Sequence, residues 1–191
     1  MESKRFNPKK LEKLNNPERV VEVPVATILK RAGVEIPEVV IDLGAGTGLF
    51  SKEIAILHNQ CKIYACDISE VMIDWMNKNV AGQYANIMPM KMEDSQIDLE
   101  DSIADFLLMI NMHHELDFPE KTLKECYRLL KPGGRIAISD WRKEEMEHGP
   151  PFKIRFKPEE VQEQLQSAGF VKTVIYDDFK NNFLVVAARV K

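Results

Sequence analysis

The sequence predicts an α/β protein with a doubly wound, mostly parallel seven-stranded sheet that ends in an antiparallel hairpin. Three observations predict it. From Val39 onward, short apolar strands alternate with amphipathic helices, the pattern of parallel strands covered on both faces. The first strand runs straight into a glycine-rich turn that opens a helix. The last two apolar segments, TVIYDDF and NFLVVAARV, have no helix between them and so must run antiparallel.

Each element has a local reason. VVIDL is the first strand and LFSKEIAILH the helix after it. KIYACDI is the second strand; Ser69 is placed to cap a helix that carries Met72, Met76 and Val80 at helical spacing. ANIMPMKM is the third strand, and Pro89 favours an edge position for it. ADFLLMI is the fourth. A helix opens at Pro119 and is expected to bury Leu123, Cys126, Tyr127 and Leu130. KPGG should stop that helix and turn into the fifth strand, RIAISDW. Arg142 to Lys157 reads as a charged, proline-containing loop. Pro158 starts a final helix with Val161, Leu165 and Ala168 on one face, and Gly169 ends it. Ahead of the sheet lie residues 1–37, rich in Lys, Asn and Pro, with a helix start at Asn16-Pro17 and a stop at Gly33. They are expected to form a helical lid on a domain spanning 38–191.

The bulk numbers narrow the class. A chain of 191 residues suits one domain with a sizeable core. Against 30 acidic residues there are 26 basic ones, a net charge of −4 that argues against a general nucleic-acid binder. No apolar run approaches the ~20 residues that span a bilayer, and MESKRFNPKK lacks a signal-peptide core. The expectation is a cytoplasmic protein without a membrane partner; a homodimer is compatible with it. Three cysteines give no disulfide framework. Cys61 and Cys66, five apart, should face opposite sides of the sheet as small core residues rather than as a redox or arsenical pair.

Chemistry-bearing residues gather at the strand ends, where open α/β sheets bind ligands. Gly44, Gly46 and Gly48 make G-x-G-x-G, not the G-x-G-x-x-G of dinucleotide sites, and no phosphate-loop Lys or Ser/Thr follows them. Asp42, two residues before the first glycine, would repel a pyrophosphate but favour a cationic sulfonium amino acid. Asp67, at the end of the second strand, can accept hydrogen bonds from a ribose, although a solvated helix cap is its plainer reading. After the third strand, Met92 can lie against an adenine face with Glu93 and Asp94 at its edge. Ordinary core filling is as good a reading for Met92, Met109 and Met112. The fourth strand ends in INMHHEL, with Asn111 and two adjacent histidines, only one of which should face the cleft.

These residues carry a resemblance. IDLGAGTG, CDIS, EDSQIDLEDSIADFLLMI and LKECYRLLKPGGRIAISD resemble the motifs of class I S-adenosylmethionine-dependent methyltransferases. The likeness is to the small-molecule type 11 group, which includes quinone-biosynthesis methyltransferases. It is strong over residues 39–134 and moderate to the C-terminus. It implies the Rossmann-like methyltransferase fold, and S-adenosylmethionine (SAM) as cofactor with S-adenosylhomocysteine as product. It places Asp42, Gly44, Ala45, Gly46, Thr47 and Gly48 around the methionine moiety, Asp67 on the ribose with Ile68 and Met72 nearby, Met92 and Glu93 at the adenine, and Asn111 beside the sulfur. FNPKKLEKLNNPERV, HEL and DW also resemble an uncharacterised bacterial and archaeal branch, which favours His114 over His113 as the residue facing the acceptor.

His114 suits a general base near neutrality, or it only shapes the pocket; Glu115 and Asp140 are alternative bases. A metal site from His113, His114, Glu115 and Asp140 is not expected, because adjacent histidines rarely ligate one ion. Arg142, Lys143, Lys153, Arg155 and Lys157 read as a solvated face. Arg19, Phe6 and Trp141 are candidates for shaping the acceptor pocket. The expected acceptor is a small molecule, since Asn111-Met112-His113 departs from the N/D-P-P-Y/F motif of nucleobase-amine methylation. Two other functions stay open, a nicotinamide-dependent oxidoreductase and a non-catalytic SAM-binding module.

Overall fold

Val39–Leu43 (β1) lies inside the sheet and is buried from Val40 to Leu43, as a strand with helices above and below requires. The computed structural model describes residues 11–191. The strands that follow are Lys62–Asp67 (β2), Ile87–Lys91 (β3), Ala104–Ile110 (β4), Leu130–Trp141 (β5), Val171–Tyr176 (β6) and Asn182–Ala188 (β7). They form one seven-stranded sheet in the order β3-β2-β1-β4-β5-β7-β6. Strands β1 to β5 pair in parallel, β7 runs antiparallel to β5, and β6 runs antiparallel to β7 on the outer edge. Pro89 lies in β3, the other edge, where its missing N–H costs no ladder bond.

The period of two sorts each strand between two core layers. Val40, Ala65, Phe106, Leu108 and Ala137 pack on one face, under helices Val25–Ala32 (α3) and Leu49–Leu57 (α4). Ile41, Leu43, Cys66, Leu107 and Ile138 pack on the other, under Pro119–Leu129 (α6) and Pro158–Ser167 (α7). Cys61 and Cys66 fall in opposite layers, as their spacing predicts. The same alternation carries Asp42 and Asp67 to the α3–α4 side and Asp140 to the α6–α7 side.

Four local readings need correction. The expected helix from Pro17 to Gly33 is broken: Leu11–Leu14 (α1) and Glu18–Glu22 (α2) precede α3, because Pro24 adopts an extended backbone and restarts the helix. Gly33, with φ of 67°, does end it. The helix after β2, Glu70–Met76 (α5), widens into a π-helical turn over Asn77–Ala81, and the Ser69 hydroxyl makes no capping bond. In α6, Leu129 rather than Leu130 is the last buried helical residue; Leu130 is already extended and opens β5. KPGG is therefore a bulge inside that strand: Ala104 pairs with Leu130 and Phe106 with Arg135, leaving Asp105 opposite four residues.

The charged loop after β5 is not a solvated face throughout. Arg155 is 5% exposed, and its guanidinium donates to the carbonyls of Pro150, Arg142, Glu144 and His148. One buried fork thus clamps the loop from inside.

Candidate active site

The glycine turn begins where β1 leaves the sheet. Gly44, Gly46 and Gly48 have φ of 75°, 57° and 76°, a left-handed backbone that side chains disfavour. Gly44 also has no room for one, since a Cβ there would overlap Met112 Cγ. The turn's amides are mostly spent within the protein. Gly44 and Ala45 N–H donate to the Cys66 carbonyl at 2.9 and 3.0 Å, Gly46 N–H donates to Asp67 Oδ2 at 2.8 Å, and Gly48 N–H to the Ala45 carbonyl at 2.9 Å. The turn therefore differs from a phosphate cradle of free N–H groups. Thr47 Oγ1, buried in the middle of the turn, has no hydrogen-bond partner. A buried hydroxyl left this way marks a place for a ligand atom or water.

Two carboxylates flank the turn on the α3–α4 side. Asp42 is 2% exposed and accepts a 2.6 Å hydrogen bond from the Ser51 hydroxyl on α4. Burial pushes its carboxyl up to about 6, with the nearby charge of Asp67 acting in the same direction; the Ser51 bond and the Arg19 cation oppose the shift. Asp67 is locked at the end of β2, with Oδ2 on Gly46 N–H and Oδ1 accepting from Ser69 N–H at 2.8 Å. Its pKa too is raised by burial, against those amide bonds and Lys91. Asp67 thus ties β2 to the glycine turn, in place of a freely solvated cap.

The adenine-side residues divide. Met92 is 4% exposed and packs within the α6–α7 core layer. Glu93 is exposed and closes a tight bridge with Gln96. Ile68 is half-buried just past Asp67, and Met72 is buried on α5. Asn111, past the end of β4, has φ of 55°, which asparagine tolerates better than other side chains. Its Oδ1 accepts a 2.6 Å hydrogen bond from Asn182 Nδ2. Sequence reasoning missed Asn182. Only the insertion of β7 beside β5, which sets Asn182 opposite Trp141, brings it there.

The adjacent histidines diverge, because Met112 leads into a single 3₁₀ turn over His113–Glu115. His113 is fully buried, bonded through Nε2 to Gln164 Oε1 at 2.7 Å and packed edge-on against Phe156. Burial lowers its pKa. His114 meets Asp140 instead: its Nδ1 lies 2.7 Å from Asp140 Oδ1, and its backbone N–H donates to Oδ2 at 2.9 Å. A carboxylate can only accept, so the proton sits on Nδ1 and the neutral ring keeps its lone pair on Nε2. Glu115 Oε1 is 3.7 Å from that nitrogen. Burial works against charging His114, but the Asp140 charge, its hydrogen bond and Glu115 outweigh it and raise the pKa. Among the described residues no cluster of three or more His, Cys, Asp or Glu side chains is arranged to hold a metal. Trp141 is half-buried, with its ring on Gly149, and Phe6 lies outside the described residues.

The chemistry of this donor set suits one cofactor class. Two buried carboxylates beside a turn whose amides are mostly spent oppose a pyrophosphate and favour a cation. The orphaned Thr47 hydroxyl offers a polar contact inside the turn. A sulfonium nucleoside fits these residues.

The comparisons agree. A family model described as a methyltransferase domain matches residues 41–138. The crystal structure of a SAM-dependent methyltransferase from Aquifex aeolicus superposes with a TM-score of 0.91 and 32% identity, over 97% of this chain and 100% of that one. The malonyl-acyl-carrier-protein O-methyltransferase of Methylococcus capsulatus is 28% identical over 150 residues, 71% of this chain and 53% of that protein. A ubiquinone biosynthesis O-methyltransferase of Coxiella burnetii is 29% identical over 101 residues, 52% of this chain and 42% of that protein. The chain spans about half the length of these two curated relatives or less.

Proposed function

The chain belongs to the methyltransferase domain family, and on that premise we propose that it transfers a methyl group from SAM to a small-molecule acceptor, with His114 as the base. The observation that carries this reading is the pairing of His114 with buried Asp140 at the strand ends next to the glycine turn. When bound, SAM supplies a methyl group on a positively charged sulfur. Asp42 places negative charge near that sulfonium, and Asp67 holds the ribose end against the turn. Asp140 fixes the His114 ring and its tautomer, so that Nε2 is free to take the proton the acceptor loses as its new bond to carbon forms. Asn111 lines the same rim. Alignment of this kind lowers a barrier by ~7–11 kcal/mol in favourable cases.

The reading extends to the organisation of the chain. Of the 1–37 lid, residues 1–10 lie outside the described residues; residues 11–37 act as the lid over the donor site, and 38–191 as the catalytic domain. What supports it is Leu14, whose Cδ1 would stand 3.3 Å from a Cβ on Gly46. Among the described residues no helix is long and apolar enough to cross a membrane. The test is calorimetry with S-adenosylhomocysteine and NAD(H), then a screen of hydroxyl and amine acceptors for methylation. Micromolar S-adenosylhomocysteine binding with no NAD(H) binding is expected; the reverse preference overturns the reading. Cofactor binding without turnover on any acceptor would favour a non-catalytic module.

A further inference from the structure

Arg19 stands over the donor turn and, among the described residues, spends one N–H of its guanidinium on a hydrogen bond. It lies on α2, half-buried, its guanidinium 5.1 Å from the centre of the Phe50 ring, two residues beyond Gly48. Its bond to a described residue is from Nη1 to the Leu14 carbonyl at 2.8 Å, and Leu14 itself rests on Gly46. Among the described residues no carboxylate forms an ion pair with it. The two acidic groups whose charge it feels, Asp42 and Glu22, are engaged elsewhere, by the Ser51 hydroxyl and by Asn181 Nδ2 at 2.9 Å.

Five of the six other described arginines are tied to protein partners. Arg31, Arg128 and Arg142 each pair with a carboxylate. Arg155 satisfies itself on four carbonyls, and Arg189 on Ser102 Oγ and two carbonyls. Arg19, with five N–H donors, gives one to Leu14. A half-desolvated guanidinium fork is matched best by a carboxylate, which takes two of its N–H groups side by side. Asp42 supplies the opposite charge beneath the same turn. A cation and an anion straddling one glycine turn complement the two ends of an α-amino acid.

We propose that Arg19 is the carboxylate anchor of the donor site: its guanidinium binds the α-carboxylate of the cofactor's amino-acid end and ties the N-terminal segment to the bound cofactor. This rests on SAM being the donor. It also moves Arg19 from the acceptor pocket, where its sequence position suggested it, to the cofactor.

The experiment compares two ligands on wild type, Arg19→Ala and Arg19→Lys by calorimetry. S-adenosylhomocysteine carries the amino-acid end; 5′-methylthioadenosine has the same nucleoside and thioether without it. Arg19→Ala is expected to weaken S-adenosylhomocysteine by about 10–100-fold, the scale of charge-assisted hydrogen bonds. It should change 5′-methylthioadenosine affinity by less than about threefold, and Arg19→Lys should recover part of the loss. An equal loss for both ligands would mean that Arg19 only packs the segment onto Phe50, and would overturn the proposal. So would unchanged S-adenosylhomocysteine affinity. If wild type binds neither ligand, the donor assignment itself fails, and that outcome is visible before any variant is made.

Discussion

Asp42 and Asp140 are equally buried, each 2% exposed, each near the end of a parallel strand, yet they do opposite things. Asp42 points to the α3–α4 face and is held by a neutral hydroxyl, so burial leaves its carboxyl raised to about 6. Asp140 points to the α6–α7 face and is held by an imidazole and two backbone N–H groups, those of His114 and Trp141. The first carboxylate has no full cation bonded to it and suits a site that receives one. The second raises the proton affinity of its neighbour and suits a site that must take a proton. The two carboxylates thus differ in what each is bonded to, a hydroxyl for Asp42 and an imidazole with two amides for Asp140.

The largest effect should come from removing the base. His114→Ala is expected to lower turnover by about 10²–10⁴-fold, the usual worth of general acid–base catalysis. S-adenosylhomocysteine affinity should stay within about threefold. A loss confined to cofactor affinity would place His114 on the donor side and erase the contrast. The pH profile sharpens the point. A base works when neutral, so the rate of the wild type should rise with pH through a value above the ordinary 6.5 of histidine. Asp140→Asn removes the carboxylate that raises it, and the acid limb should move to lower pH. A limb that does not move would mean that Asp140 only holds the turn in place.

On the donor side, Asp67→Ala should weaken S-adenosylhomocysteine by roughly 1–3 kcal/mol, about 5–150-fold, through lost charge-assisted bonds. Part of that loss reaches the ligand through the turn, because Asp67 holds Gly46 N–H in place. Unchanged affinity in calorimetry would mean that the ribose lies elsewhere.

Asp42→Asn tests the idea that the donor side carries an unmet cost. The folded carboxyl titrates at about 6, against an ordinary 3.8, so the stability it contributes is present below 3.8 and is lost as pH rises through 6. At pH 7.5 ionisation of this buried group costs on the order of 2–3 kcal/mol. Asparagine keeps an acceptor for Ser51 without that cost. Urea denaturation should therefore find Asp42→Asn more stable than wild type at pH 7.5 by about 2 kcal/mol, the gap shrinking toward pH 4. It should also find weaker S-adenosylhomocysteine binding. A variant less stable at both pH values would show that the charge is well paid where it stands.

Alternation of apolar runs made the seven strands and their two layers legible, and glycine spacing with Asp42 and Asp67 pointed to the cofactor class. What escaped is what needs three dimensions. Pro24 read as part of a helix because nothing local says that α3 must restart in order to reach the core. The spent amides of Gly44, Ala45 and Gly46 depend on β2 lying alongside β1, which brings Cys66 and Asp67 to them. Arg155 sits in a run of charges that pattern reasoning assigns to solvent, and only the folded loop shows its guanidinium closing on four carbonyls. His114 and Asp140 were each readable as reactive, but their bond follows from the β4–β5 register, in which Ile110 lies opposite Ser139.

Asn182 offers the smallest and finest test, because it acts on the rim between the two sides. Its Nδ2 donates to Asn111 Oδ1, which fixes the Asn111 amide with Nδ2 as the outward donor. Asn182→Ala removes one hydrogen bond, worth about 0.5–1.5 kcal/mol, so kcat should fall by about 2–12-fold. Asn182→Asp is nearly the same shape but can only accept when ionised, so Asn111 must turn its amide over and present oxygen outward. If the orientation of that amide matters, the aspartate variant should lose more kcat than the alanine variant, with the acceptor KM of both close to wild type. If Asn182 merely fills space at the strand end, alanine should be the worse of the two, and the loss should appear in the melting temperature instead.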